Sequence, residues 1–364
     1  MPHGGGKVGT IGIGAGNLYK AAPREIIDII SFGMDQGVNL IDTVMYDDSA
    51  AEPIAQALKG RRDKMIMQIH LGAVYPSGKY SRTRVLSKVQ KGFEGELRKY
   101  GTDYADIGMI HYVDDDRDFE KILSGGIFDY ARKLKRDGTI RYLGFSSHSA
   151  AISRRFIETG EIDLFMFSLN AAYDFEPSRG KLALSDERAE LYRECEKRGV
   201  GITVMKPYNG GQLLNAKTSP FHRAMAVSQC IQYALDRPAV LSCLPGVSSR
   251  AELEDVLRYG SASREERDYS FIGDLPHRDI QGVCIYCNHC QPCPAGIDIG
   301  CVNKYLDLAK AGDELAKDHY RKLNKHADDC TRCGACEKNC PFHVDIRGRM
   351  REAGDYFGGE NSAV

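Results

Sequence analysis

The sequence predicts an α/β protein, a (β/α)8 TIM barrel followed by a small helix-rich domain, and three observations carry that expectation. Eight short apolar runs rich in β-branched residues recur through the first 250 residues. Stretches with apolar residues at intervals of three and four separate them, the pattern of strands alternating with amphipathic helices. The cysteines then change density: Cys195, Cys230 and Cys243 are the three of 12 that precede residue 284, and the other nine crowd into the remainder. The chain therefore divides near residue 275, with a barrel over 1–275 and a second domain over 276–364.

The strand candidates are, in order, Thr10–Ile13, Asn39–Asp42, Met65–Ile69, Asp106–Ile110, Ile140–Phe145, Asp163–Leu169, Gly201–Met205 and Val240–Leu244. Helix candidates lie between them, among them Arg24–Ile30 and Val85–Tyr100, where Val85, Leu86, Val89, Phe93 and Leu97 form one stripe. Eight strand–helix units in roughly 250 residues match the length of a barrel. A doubly wound open sheet alternates in the same way, but the count favours closure. The run Gly12-Ile13-Gly14-Ala15-Gly16 has no acidic residue closing a second strand at the expected distance, so it is a weak dinucleotide signal.

Barrel enzymes place their chemistry at the carboxyl ends of the strands. Those ends read Asp42-Thr43 with Tyr46 just beyond, His70, His111-Tyr112, Ser146-Ser147-His148, Asn170, Lys206, and Pro245 to Arg250. Polar and titratable groups thus converge on one rim.

Composition narrows the function classes. Lys and Arg number 49 against 50 Asp and Glu, a formal charge of -1, which argues against a nucleic-acid binder. With 42% hydrophobic and 27% charged residues the chain is a folded protein. No apolar run approaches the ~20 residues of a membrane span, and the first residues lack a secretory pattern. A cytoplasmic protein without membrane or nucleic-acid partners is expected.

Read together, several segments resemble the aldo-keto reductase family over most of residues 8–260. They are Ile41-Asp42-Thr43 followed by a Tyr, Met109-Ile110-His111, Gly138 to Ser146, Met205-Lys206-Pro207 followed by Gly210-Gly211, and Leu244 to Ser249. The resemblance implies a barrel that binds an extended nicotinamide dinucleotide and reduces a carbonyl without a metal. In that family a Tyr is the general acid, an Asp–Lys pair tunes it and a His orients the carbonyl. Carried over, the catalytic set is Asp42, Tyr46, His70 and His111. Tyr46 lies four residues after Asp42 where the family usually has five, His70 stands in the place of the Lys, and Met166 stands where a Gln is common.

A histidine, with a reference pKa of about 6.5, keeps its proton at neutrality when a carboxylate holds it. Asp42 is accordingly expected to pair with His70, and Tyr46 chemistry to weaken as pH rises. For the dinucleotide the resemblance assigns Ser146, Ser147, Asn170, Lys206, Gly246, Ser248, Ser249 and Arg250. The two serines of the last loop read equally as a helix N-cap. Glu252 would repel a 2'-phosphate, which favours NADH over NADPH.

The tail carries Cys284, Cys287, Cys290 and Cys293 at C-x2-C-x2-C-x2-C before Pro294, then Cys330, Cys333, Cys336 and Cys340 at C-x2-C-x2-C-x3-C before Pro341. The second run is similar to the bacterial ferredoxin pattern, whose fourth Cys ligates the other cluster. Two [4Fe-4S] clusters follow, one on Cys284, Cys287, Cys290 and Cys340, the other on Cys330, Cys333, Cys336 and Cys293. Zinc is the alternative for either run, but zinc usually joins two separated pairs. Cys301 and the three barrel cysteines read as packing thiols. Ile297–Lys317 reads as helix, and the full chain looks like an aldo-keto reductase with a C-terminal ferredoxin-like domain.

Hydride transfer moves two electrons together, whereas a cluster carries one. The leading expectation is an iron-sulfur oxidoreductase acting on a small carbonyl or alcohol, with NAD(H), NADP(H), a ferredoxin or another redox protein as electron partner. Flavin stays open on sequence alone. The alternative from another class is a catalytically altered barrel that serves as an electron-transfer or scaffold subunit.

Overall fold

The computed structural model describes the chain except residues 179–180, 275–281, 283, 285–289, 311–312, 341–342 and 359–364, and the side chains of 176–178, 181–184, 273–274 and 315. All eight expected strands form: β1 (Ile13–Gly14), β2 (Leu40–Asp42), β3 (Ile66–Leu71), β4 (Ala105–Ile110), β5 (Ile140–Ser147), β6 (Leu164–Ser168), β7 (Gly201–Met205) and β8 (Val240–Cys243). Each pairs in parallel with the next in sequence. Bridges Ile11↔Cys243 and Gly14↔Gly246 join the first strand region to the last. A doubly wound sheet would reverse its strand order and leave two edges. This sheet runs in sequence order and closes, so it is the barrel.

Parallel strands covered on both faces are apolar throughout, and every residue of β4 and β6 is buried. Leu40, Ile107, Met109, Leu164, Met166 and Leu244 pack together in the barrel. Gln68 is one of several polar residues within the strands and is fully buried. It accepts from Thr203 Oγ1 at 3.2 Å and donates to Asp42 Oδ1 at 2.9 Å, so its amide is satisfied as burial demands and ties β2, β3 and β7.

Helix α1 (Pro23–Asp35) begins with proline in its first turn, where the missing N–H costs nothing, and buries Ile26, Ile29 and Ile30. Helix α2 (Leu86–Lys99) buries Val89, Phe93 and Leu97. Val85 was expected on that stripe but is the N-cap and 52% exposed, because a side chain ahead of the first turn has no helix face to share.

Two compact units result. Met1–Leu169, Asp186–Pro207 and Ile231–Ser263 form the first and hold all eight strands; Asn170–Ser185, Tyr208–Cys230 and Arg264–Val364 form the second. In the second, the expected 297–317 helix is two helices, α3 (Ile299–Lys310) and α4 (Glu314–Arg321), with Gly312, a poor helix former, in the sequence between them. Helix α5 (Ile346–Gly358) fastens to α3 through Arg349, which donates to Asn303 Oδ1 and Asp307 Oδ1. Tyr320 of α4 stacks on Phe357 at 3.8 Å. No helix among the described residues is long and apolar enough to cross a membrane.

Candidate active site and cysteine cavity

Asp42 ends β2, His70 lies near the end of β3, and His111 follows β4 directly. All three are buried, with relative exposures of 4%, 3% and 4%. His70 Nε2 lies 2.7 Å from Asp42 Oδ1, and His70 Nδ1 lies 2.9 Å from His111 Nδ1. The far nitrogen of His111, Nε2, lies 2.6 Å from the hydroxyl of Tyr80. One hydrogen-bonded chain therefore runs from the carboxylate to a half-buried phenol. Asp42 also takes Gln68 Nε2–H and, at 3.4 Å, the N–H of Val44.

The carboxylate only accepts, so His70 Nε2 carries hydrogen. With both imidazoles neutral, His111 Nδ1 donates to His70, and His111 Nε2 accepts the Tyr80 hydroxyl hydrogen. Adding one proton to the pair puts hydrogen on His111 Nε2 wherever the charge sits. That nitrogen then donates to the Tyr80 oxygen, and the phenolic hydrogen is released from His111. One proton thus decides which way Tyr80 donates.

Local structure holds this arrangement. After β3 the chain turns through Tyr75-Pro76-Ser77-Gly78, and the short strands Ala73–Val74 and Ser81–Arg82 pair antiparallel. Gly78 has φ of +81°, and a Cβ there would meet Asp48 Oδ1 at 2.9 Å, so the turn that brings Tyr80 back requires glycine. Tyr80 N donates to Tyr46 O at 3.1 Å. Tyr75 OH accepts from Met45 N at 3.0 Å, and burial pushes the Tyr75 phenol well up, so it stays protonated. Tyr112, next to His111, has a left-handed φ of 46°. Arg84 Nη2 fixes that step by donating to His111 O and Tyr112 O, both at 2.7 Å.

The other expected site residues are placed differently. Tyr46 packs its ring 5.0 Å from Tyr19 and under Lys79 at 5.2 Å; among the described residues its hydroxyl makes no hydrogen bond. Ser146 Oγ accepts Tyr112 N at 2.8 Å, and Ser147 Oγ donates to Asp114 Oδ1 at 3.0 Å. Asn170, in the second unit, caps the turn Ala171–Asp174 by accepting from Tyr173 N. Lys206 leaves β7 with φ of 59°, and Gly246 bridges Gly14.

Ser249 is the N-cap of helix Arg250–Leu257, its Oγ accepting from Glu252 N at 3.2 Å. The Glu252 carboxylate takes Ser248 N at 2.7 Å and Ser248 Oγ at 3.0 Å. Arg250 donates to Glu254 and Asp28. The donors assigned to a phosphate are thus engaged with carboxylates and the helix end.

In the second unit Cys293, Cys330, Cys333 and Cys336 line one cavity, walled by Ile299, Ile346 and Met350. Apolar walls around thiols fit a cluster, whose sulfurs need few further donors. Arg332 N donates to Cys330 Sγ at 3.4 Å. A backbone bond from Ala335 and one with Thr331 hold the Cys333 thiol below its ordinary value, whereas burial pushes Cys336 up. Among the described residues no three His, Cys, Asp or Glu groups converge closely enough for a single ion; the four thiols instead surround a space. Of the other expected set, Cys290 and Cys340 are buried and Cys284 is half-buried, while Cys287 lies outside the described residues. Burial pushes the thiols of Cys195 and Cys230 up to about 12, as packing thiols require. Cys243 is also buried, but Cys301 is half-buried.

The model of the aldo/keto reductase family matches residues 8–230, and that of the 4Fe-4S dicluster domain matches 283–345. The chain belongs to the aldo/keto reductase family. It is 22% identical over 279 residues to the uncharacterized oxidoreductase YqkF of Bacillus subtilis, covering 71% of this chain and 89% of that one. It is 26% identical over 231 residues to the NADH-specific methylglyoxal reductase of Escherichia coli, covering 59% and 66%. Among solved structures, aldo-keto reductase AKR11C1 from Bacillus halodurans, holo form, has a TM-score of 0.58 at 22% identity, covering 74% of this chain and 92% of that one. An aldo/keto reductase from Klebsiella pneumoniae in complex with NADP and acetate has a TM-score of 0.53 at 19% identity, covering 71% and 89%. This chain is thus an oxidoreductase with a 4Fe-4S module at its C-terminus.

The tyrosine joined to His111 on the rim is Tyr80 and not Tyr46. Tyr80 lies ten residues beyond His70, outside the strand ends that the barrel pattern marks. The signal was present in Tyr75-Pro76-Ser77-Gly78-Lys79-Tyr80, where a Pro-x-Gly turn between two tyrosines folds the second back toward the strand it left.

Proposed function

We propose that the barrel interconverts a small carbonyl compound and its alcohol, with Tyr80 as the group that gives and takes the proton. The Asp42–His70–His111–Tyr80 chain carries this reading. In reduction the carbonyl carbon gains a hydride equivalent and the oxygen gains the Tyr80 proton. The protonated histidine pair then donates from His111 Nε2 to the phenolate and restores the phenol, and the pair recovers its proton from solvent. Oxidation runs these steps backwards. Asp42 fixes the His70 tautomer and stabilises the positive charge, the role a buried carboxylate plays beside a catalytic imidazole.

A bound NADH supplies the hydride. The engaged Ser248, Ser249 and Arg250 together with Glu252 favour it over NADPH, whose 2'-phosphate would have to displace a carboxylate. Ser146 keeps its own hydroxyl hydrogen while accepting from Tyr112, which suits a carboxamide oxygen. The module would hold two [4Fe-4S] clusters, one on Cys293, Cys330, Cys333 and Cys336, the other on Cys284, Cys287, Cys290 and Cys340. Such clusters would supply single-electron exchange with a ferredoxin-type protein, two electrons and two protons being equal to one hydride and one proton.

The test is an anaerobic assay of alcohol formation from a carbonyl panel with NADH, NADPH or reduced ferredoxin. Turnover with NADH above NADPH, or with ferredoxin, is expected. No alcohol from any donor with clusters intact would overturn the reading in favour of a scaffold subunit.

A further inference from the structure

Two arginines and one carboxylate stand beside the Tyr80 site, and their charges do not balance. Arg84 takes both oxygens of Asp118, Nε to Oδ1 at 2.8 Å and Nη2 to Oδ2 at 2.6 Å. This side-on pair fits guanidinium to carboxylate. Arg82 has only a 3.3 Å contact from Nη1 to the same Oδ2, plus Tyr112 O at 2.9 Å from that same nitrogen. Among the described residues its Nε and Nη2 have no hydrogen-bond partner. The side chain is only 14% exposed, yet neither nitrogen is fully buried without a partner, so both donors stand where an anion entering from solvent can meet them.

Its position gives the anion a purpose. The Arg82 guanidinium lies over the Tyr112 ring at 4.7 Å, and Tyr112 directly follows His111, the residue that holds the Tyr80 hydroxyl. Tyr80 and Arg82, two residues apart on one hairpin, therefore address the same two-residue step. Asp114, two residues beyond Tyr112, is engaged with His148 Nδ1, His148 N and Ser147 Oγ. We propose that Arg82 binds a carboxylate of the substrate, making the compounds turned over at Tyr80 oxo acids and their hydroxy acids. The two unused donors present the fork that carboxylates match and neutral groups do not.

This inference rests on the carbonyl reading above, and its test separates the two. The intact, cluster-loaded protein is assayed with pyruvate against methyl pyruvate and with levulinate against methyl levulinate. For at least one pair, wild-type kcat/KM favours the acid by about 30-fold. R82Q brings that ratio near one while activity on the ester persists, and R82K keeps part of the preference. The ester is the control for damage to the rim, which would lower both substrates alike. Calorimetry with pyruvate and levulinate supplies a readout independent of turnover, and affinity for at least one should fall about 30-fold in R82Q. If turnover is absent but this binding loss is present, the carbonyl reading fails and Arg82 recognition stands. Equal use of acid and ester by wild type, or a preference and affinity unchanged in R82Q, would overturn the proposal.

Discussion

The barrel rim and the cysteine module assemble their chemistry in opposite ways. On the rim, four residues from three strand ends and a hairpin, 42 to 111 in the chain, join into one hydrogen-bonded line. In the module, three of the four cavity thiols come from a single seven-residue stretch, Cys330 to Cys336. In the proposed reaction the rim moves a proton and must fix tautomers and orientation across the fold. The module holds a cluster and needs only thiols at the right local spacing. Substitutions should therefore act all-or-none in the module and by degrees along the rim.

The largest effect is expected in the module. C293S and C333S should each remove the same cluster, lowering iron from about eight to about four per chain, as read by iron and sulfide quantitation. Retention of eight irons by C293S would break the assignment of Cys293 to the 330–336 stretch. On the rim, D42N should leave the fold intact but lower carbonyl reduction roughly 100-fold or more in kcat, because an amide can impose the wrong His70 tautomer. A loss below about threefold would show that the chain does not work as a unit.

A smaller, signed effect separates the directions of reaction. Reduction consumes a proton at Tyr80 and oxidation releases one, so kcat/KM for reduction should fall as pH rises while that for oxidation climbs, each by up to about tenfold per unit. Parallel profiles in both directions would contradict the role of the pair.

The smallest effect concerns what the rim costs in stability. Burial, the dominant influence, pushes the Glu96 carboxyl up against the pull of Lys99. Lys99 lies over the ring of Tyr75, which fixes the loop after Asp42. A carboxyl whose folded-state pKa is raised destabilises the fold once ionised, so the penalty is absent in acid and full at neutral pH. E96Q should raise Tm by about 2 °C at pH 7 and leave it unchanged near pH 3; an equal shift at both would show a packing effect instead.

These differences also explain what the sequence disclosed. Strand positions were legible because parallel strands covered on both faces are apolar runs, and closure followed from counting them. The Asp42–His70 contact was legible because adjacent parallel strands place their ends side by side. Cys293 joining the later stretch followed from ferredoxin spacing. Tyr80 was not legible in this way, since its place depends on a turn through Gly78 and on pairing of two-residue strands, neither of which leaves a periodic trace. The engagement of Ser248 by Glu252 was half-legible: the cap pattern was visible, but the competition between cap and phosphate is decided by side-chain geometry.

The central claim is that Tyr80, at the end of the Asp42–His70–His111 chain, handles the proton. Measured side by side on one carbonyl substrate, kcat/KM of Y80F should fall by about 1,000-fold and that of Y46F by less than about tenfold. The reverse order, with Y46F inactive and Y80F close to wild type, would contradict it.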